Sequence, residues 1–290
     1  MADESSITMD VRETFEGKTS VITGAASGIG EGIARVAAEA GMKVVLADVA
    51  EERLQRVVKD IRSAGGDAIG VVTDVTDRDA IENLADVAED RYGEITLAVN
   101  NAGIESIGFS WEIDPATWDR VIDINLRGVI HGTRSFARRM ISRGTEGFIA
   151  NLSSVGGLGI MPTQTPYIMS KHAILSFSEC VYLEMQFAEH PIHVSAVLPS
   201  SVRTRIFDEA LTDRNSGFTE GQRVRMAQAI EHGLTIEEAG RRILAGIAAR
   251  QFWVSTEPEA TAAFAAQRAR YLEELRPPAL TQEMRYLLGE

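Results

Sequence analysis

A short apolar strand that runs straight into a glycine-rich turn and then a helix constrains this chain more than any other feature. Thr19-Ser20-Val21-Ile22-Thr23 reads as the strand and Gly24-Ala25-Ala26-Ser27-Gly28-Ile29-Gly30 as the turn. Ile29, Ile33, Val36, Ala37 and Ala40 then recur at helical spacing, with Gly41 as the stop. The alternation continues, with strands over 44–48, 68–73, 95–100, 148–153, 192–198 and 252–255. Helices fall over 51–64, 79–90, to about 189 after Tyr167, and 236–250, and a long helical stretch runs from Asp114-Pro115 to about Gly144. Asp as N-cap and Pro at the first helical position mark where that stretch begins. Strands alternating with such helices build a parallel sheet covered on both faces, an α/β fold of three layers. No repeat, low-complexity tract or linker divides the 290 residues, which predicts one domain.

Composition narrows the function classes. A hydrophobic fraction of 44% supports a sizeable core, and a formal net charge of −13 works against nucleic acid and anionic membranes as partners. Cys180 is the only cysteine, which leaves no disulfide framework and no thiolate metal cluster; its apolar neighbours predict a packed core position. The histidines, at 131, 172, 190, 193 and 232, lack metal-ligand spacing, so no metal is expected. Residues 1–16 read as a flexible or surface-draped arm without a signal peptide's apolar region. No segment approaches the ~18 apolar residues of a membrane span, and a soluble, cytoplasmic protein is expected.

Chemistry concentrates in residues 151–171. Tyr167 and Lys171 are four apart on a helix, so both side chains leave one face, and Ser154 precedes Tyr167 by 13 residues in the loop after a strand. Free tyrosine has a pKa of ~10, and a nearby cation favours the phenolate. Lowering it by about three units needs roughly 4 kcal/mol, which a close ammonium in a partly desolvated pocket supplies. The Ser154 hydroxyl would hold the oxygen that gains or loses the proton. Taken alone, a Tyr-x-x-x-Lys pair is more often an ordinary surface or half-buried pair.

Strand, glycine-rich turn and helix also make the geometry that seats a dinucleotide pyrophosphate on a helix N-terminus. The Gly-x-x-x-Gly-x-Gly spacing occurs in ordinary turns too. Asp48, at the tip of the second strand and 18 residues beyond Gly30, discriminates: a carboxylate there accepts both adenosine ribose hydroxyls and repels a 2′-phosphate. No Arg or Lys lies between Gly24 and Gly30 or directly after Asp48, which favours NAD over NADP.

Thr23-Gly24-x-x-x-Gly28-Ile29-Gly30, Asn100-Asn101-Ala102-Gly103, Ser154 and Tyr167-x-x-x-Lys171, in this order, resemble the short-chain dehydrogenase/reductase family in its shorter single-domain branch. The match runs over about residues 16–205. The resemblance implies a Rossmann-type doubly wound sheet of seven strands, Tyr167 as general acid/base, and a Lys171 that binds the nicotinamide ribose and lowers the tyrosine pKa. It implies that Ser154, selected over Ser153 by spacing, binds the substrate oxygen. Asn125 would hold a water linking the lysine to solvent; by residue type alone it reads as a helix kink. Implied cofactor contacts come from Gly24, Ser27, Gly28, Ile29 and Gly30, from Asp48 and Val49, and from Asp74 and Val75 beside the adenine. Asn101, Ala102, Gly103, Pro199, Val202 and Thr204 complete them. Without the family, Asp74 reads equally well as a helix cap, and Ser200 stands where the family usually has glycine. The implied reaction is hydride transfer between a secondary alcohol or ketone and NAD, in a homodimer or homotetramer. The alternative enzyme is a 3-oxoacyl-thioester reductase; the alternative of another class is a non-catalytic NAD sensor or scaffold.

Beyond Thr204 the family offers no guidance. Residues 205–232 fall where a substrate lid would lie, though the pattern also suits a surface helical hairpin. A pocket wall drawn from 104–111, 155–165 and 205–230 holds Ile107, Phe109, Trp111, Leu158, Ile160 and Met161, which predicts an apolar substrate. Arg203 and Arg205 would instead greet an anion. Met169, Met185 and Met226 read as core or lid filler. A C-terminal extension is expected to be helical over about 257–275, with Phe264, Tyr271 and Leu272 as a buried stripe making contacts within or between subunits.

Overall fold

The computed structural model describes residues 11–212 and 216–290. The first half of the chain runs β1 (Thr19–Thr23), α1 (Gly28–Glu39), β2 (Lys43–Asp48), α2 (Glu51–Ser63), β3 (Asp67–Val72), α3 (Arg78–Tyr92), β4 (Ile95–Asn100), β5 (Ser106–Ile107) and α4 (Pro115–Ile122). A π-type turn (Asp123–Arg127) leads into α5 (Gly128–Arg143), β6 (Gly147–Leu152), a 3₁₀ turn (Val155–Gly157), α6 (Thr165–Phe187) and β7 (Ile192–Leu198). Then come β8 (Leu211–Thr212), α7 (Gly217–Ala229), α8 (Ile236–Ala248), β9 (Trp253–Ser255), α9 (Pro258–Glu273) and α10 (Gln282–Leu288).

Seven strands form one parallel sheet in the order β3-β2-β1-β4-β6-β7-β9. The chain works outward from β1 to β3, then returns to the other side of β1 with β4. Connections leaving β1 and β4 therefore diverge, and a crevice opens at the carboxyl ends of these two strands. One face of the sheet buries Ile33, Val36 and Ala37 of α1, Leu54 and Val58 of α2, and Ile243 and Leu244 of α8. The other buries residues of α3, α5 and α6, among them Leu84, Phe136 and Val181. Helix α1 approaches α8 closely because glycines face each other: a Cβ on Gly240 would lie 2.7 Å from the Gly32 carbonyl oxygen, and one on Gly32 would overlap the Ile236 carbonyl.

Several local expectations change in three dimensions. Residues 1–10 of the expected arm lie outside the described residues, but 11–15 form a helical turn, and Val11 and Phe15 join the core. Phe15 packs edge-on against Phe148 at 5.0 Å between centroids. Cys180 is exposed rather than packed, and Met169 is exposed too, because α6 turns Ile174, Leu175 and Val181 inward and these two outward. The stripe expected on α9 is not buried: no α9 residue is, and Leu272 is 58% exposed. Phe264 lies over Gly159, beside the 3₁₀ turn. No helix among the described residues is long and apolar enough to cross a membrane.

Gly32→Ala is expected to force α1 and α8 apart and cost about 1–3 kcal/mol. Urea unfolding would register it as a lower midpoint at unchanged slope.

Candidate active site

At the end of β1 the backbone turns through Gly24 (φ +65°) and Gly28 (φ +59°), a region open to glycine at little cost. Asn101 braces this turn from behind. Its Nδ2 donates to the carbonyls of Thr23 (2.8 Å) and Gly24 (3.1 Å), while Thr23 Oγ1 accepts from the amides of Asn101 (3.0 Å) and Ala102 (3.2 Å). A side chain on Gly30 would strike both the Asn101 amide and the Gly24 carbonyl. Ser27 is extended and caps nothing with its side chain, so the first-turn N–H groups of α1 remain available to an anion. Asp48 closes the far side, with one carboxylate oxygen accepting from Ala26 N (3.1 Å) and the other from Ala50 N (2.9 Å). A carboxylate has about four acceptor positions, so both oxygens keep capacity for ribose hydroxyls. An open cradle, a free helix N-terminus and a carboxylate at its edge fit a dinucleotide.

The second half of the site hangs on α6. Tyr167 and Ser154 come together beside Gly156, where a Cβ would lie 3.4 Å from Ser154 Oγ and 3.7 Å from Tyr167 Cε1. Ser154 Oγ accepts from Gly156 N (3.0 Å), which opens the 3₁₀ turn and fixes the hydroxyl. Lys171, 5% exposed, sets its Nζ 5.4 Å from the centre of the Tyr167 ring and donates to the Leu152 carbonyl at 2.8 Å. Ser153 points elsewhere, donating to the Lys171 carbonyl at 2.8 Å, so the neighbouring serines divide into one that faces the tyrosine and one that anchors the helix. Asn125 is fully buried at the π-type turn. Its amide receives Ile104 N–H (2.8 Å) and donates to Ile104 O (2.9 Å) and Ser170 Oγ (3.1 Å). Gly103 lies against it: a Cβ there would be 3.4 Å from Asn125 Oδ1 and 3.6 Å from Lys171 Nζ. The kink read from residue type is there as a π-type turn, a widened turn that aims the Asn125 amide inward.

Electrostatics depart from the sequence expectation. The Tyr167 hydroxyl is desolvated, which pushes its pKa up; a buried carboxylate, Glu105, pushes the same way, and only the neighbouring Ser154 hydroxyl opposes them. Lys171 is itself pushed down by burial, to about 8, against the pull of Glu105. In the cofactor-free protein the lysine therefore does not hold the phenol low, because a low-dielectric site penalises both charged forms. Burial drives Glu105 well above the usual carboxylate range, with Ser106 N–H, Lys171 and Gln164 drawing it back. Nothing in the sequence singled out Glu105; a charged residue in a loop reads as solvated.

The family model described as short chain dehydrogenase matches residues 18–215. This chain belongs to that family. The short-chain dehydrogenase is 35% identical to a family member from Burkholderia phymatum whose crystal structure is a complex with NAD; the match covers 92% of this chain and 98% of that one, with a TM-score of 0.87. SadH of Mycobacterium tuberculosis is 32% identical over 256 residues, 86% of this chain and 89% of its own. A C alpha-dehydrogenase of Sphingobium sp. is 30% identical over 254 residues, 84% of this chain and 82% of its own. The oxidoreductase class and the seven-stranded Rossmann-type sheet follow from these matches and from the topology above.

Other positions read from the sequence fall as follows. Asp74 is exposed and folds onto Thr76, accepting from its N (2.9 Å) and Oγ1 (2.8 Å); the cap of α3 is Asp77, which accepts from Asp79 N at 2.8 Å. Val75 is buried against Gly128, and Val49 stands exposed beside Asp48. Pro199 accepts Val155 N–H at 3.0 Å, joining β7 to the 3₁₀ turn. Val202 is buried, and Thr204 faces Gly28, whose Cβ would be 3.4 Å from Thr204 Cγ2. Ser200 is not among the residues with positive φ, and its amide donates to Thr256 Oγ1 at 3.0 Å, so the turn does not depend on glycine. Sequence reasoning also missed the polar row inside the sheet, in which Asn100 Nδ2 donates to Asn151 Oδ1 (2.8 Å) and Asn151 Nδ2 to Ser178 Oγ (3.1 Å).

Ser153→Ala is expected to cost about 1 kcal/mol in thermal or urea unfolding through the lost bond to Lys171. Ser154→Ala should leave that midpoint nearly in place.

Proposed function

We propose that this short-chain dehydrogenase interconverts an apolar secondary alcohol and its ketone with NAD, using Tyr167 as general acid/base. The observation that carries the reading is the juxtaposition of Tyr167, Ser154 and Lys171: a Cβ on Gly156 would lie 3.4 Å from Ser154 Oγ and 3.7 Å from Tyr167 Cε1, and Lys171 Nζ is 5.4 Å from the centre of the tyrosine ring. When bound, the nicotinamide supplies the acceptor or donor of the hydride. In oxidation Tyr167 takes the hydroxyl proton at its Oη while Ser154 Oγ holds the substrate oxygen; in reduction the proton returns the same way. Lys171 supplies positive charge beneath the tyrosine and donors for ribose hydroxyls, and Asn125 keeps the loop over it in place.

Two features favour NAD. Asp48 retains acceptor capacity for a 2′-hydroxyl, and the first cation after it, Arg53, is engaged by Glu209 at 2.6 Å instead of being open to a phosphate. The Burkholderia phymatum relative bound to NAD agrees with this choice.

For the substrate, Phe109 stacks between Trp111 and Phe218, with centroids 5.0 Å apart on both sides. Residues 206–210 and 226–230 build a small apolar cover, in which Phe207 and Ala210 pack on Ile107 with Met226 and Ile230 beside them. Strand β8 pairs with β5 beneath it. Arg205 is paired with Glu209 at 2.7 Å, which draws it away from an anionic substrate, and Asp48 argues against the NADP that a 3-oxoacyl-thioester reductase would use. Leu183 and Phe187 stand exposed on α6 and suit a homo-oligomer.

A screen of apolar secondary alcohols with NAD and NADP tests the reading. Tyr167→Phe should lower turnover by about 10²–10⁴-fold and leave NAD binding by calorimetry nearly unchanged; full turnover in that variant would sink the proposal. Asp48→Ser should move the ratio of kcat/KM toward NADP by about tenfold or more.

A further inference from the structure

One carboxyl group in the site has no part in the reaction just described. Glu105, 1% exposed, leaves the loop after β4. Its Oε1 accepts from Ser106 N and its Oε2 from Gln164 Nε2, both at 2.9 Å. Its backbone carbonyl accepts Leu211 N–H at 2.9 Å, from the cover strand β8. Gln164, also buried, immediately precedes α6 and receives Ile168 N–H at 2.9 Å. The carboxylate therefore faces the first turns of α6, whose titratable groups in its field are Lys171 and Tyr167. Among the described residues, β8 sets Leu211 and Thr212, neither of them charged, against Ser106 and Ile107 of β5. The arginines of α7 are turned away: Arg223 to Glu220 and Asp208, Arg225 to the Leu287 carbonyl.

An interior ammonium needs compensation, and a lone neutral acceptor gives only part of it. Lys171 Nζ donates to the Leu152 carbonyl and lies 3.6 Å from where a Cβ on Gly103 would stand, two residues before Glu105, whose carboxylate is tied to Gln164 at the start of the lysine's own helix; Glu105 is the acidic side chain that acts on it. We propose that Glu105 is a positioning residue for Lys171, the buried counter-charge that keeps it an ammonium in working enzyme, with Gln164 and the Ser106 amide holding the carboxylate in place. The proposal rests on the roles given above to Lys171 and Tyr167. It also accounts for a carboxylate set where it opposes the Tyr167 phenolate: the same charge that steadies the lysine raises the tyrosine, so the two move together.

The chain contains four lysines, Lys18, Lys43, Lys59 and Lys171, so ε-¹³C-lysine labelling gives a small set of signals, with Lys171 assigned by its loss in Lys171→Arg. In cofactor-free wild type, Lys171 should titrate near 8. Glu105→Gln keeps the shape and removes the charge; it should lower that midpoint by about one unit or more. Glu105→Asp, which keeps the charge, should hold it close to wild type. An unchanged midpoint in Glu105→Gln overturns the proposal. Should that variant not fold, δ-¹³C-glutamate labelling of wild type decides: a carboxylate shift for Glu105 at neutral pH supports the counter-charge, and a protonated shift overturns it. Both titrations are made without cofactor, so they are separable from the redox reading. Turnover surviving in Tyr167→Phe sinks that reading, whereas an inactive Tyr167→Phe beside an unmoved Lys171 sinks only this one.

Discussion

An ammonium group held at 5% exposure must be solvated by the protein itself, and much of this site serves that need. Lys171 reaches the Leu152 carbonyl at the end of β6, while Ser153, one residue on, grips the lysine's own backbone carbonyl. The strand end and the helix are thereby locked at two points a residue apart. Gly103 lies against the same nitrogen and against Asn125, at 3.6 and 3.4 Å from where a Cβ would stand. Where Lys171 sits decides where the Tyr167 oxygen sits, one helical turn away, and hence where Ser154 must meet it.

The stretch 101–105 ties the parts together. Asn101 braces the glycine turn, Gly103 packs on the lysine, Ile104 is gripped at both N–H and carbonyl by Asn125, and Glu105 joins α6 to the cover. All of this follows β4, the strand at which the order of the strands reverses. Cofactor cradle, acid/base pair and cover are therefore organised from one loop, and rigidity in that loop is shared by all three. The polar row Asn100–Asn151–Ser178 beneath it links β4, β6 and α6, each buried amide nitrogen donating to the next member.

Charge behaves differently in this interior than a view from the surface suggests. A tyrosine and a lysine four apart read as a cation lowering a phenol, which holds where water screens little and the cation is not itself penalised. Here burial acts on both groups, raising Tyr167 and lowering Lys171, and Glu105 adds a third charge whose sign opposes the phenolate. Ser154 is left as the group that favours the phenolate in the cofactor-free protein.

The sequence by itself determined what is local. Apolar runs of strand length, helical spacing, the Asp114 cap (2.8 Å to Ala116 N) and the four-residue Tyr167–Lys171 interval all depend on neighbours along the chain, and the structure keeps them to within a residue or two. Only tertiary structure decided what depends on distant segments. β5 and β8 are two residues each, too short to leave a pattern, and exist because the chain near 211 returns to 106. Cys180 lies among apolar neighbours in sequence but on the outer face of α6, and Phe15 belongs to an apparently polar arm yet reaches Phe148. Glu105 is the sharpest case: its type and loop position say water, and its burial is set by β8, α6 and Gln164. A periodicity is written in consecutive residues, whereas the dielectric around a charge is the sum of everything that folds over it.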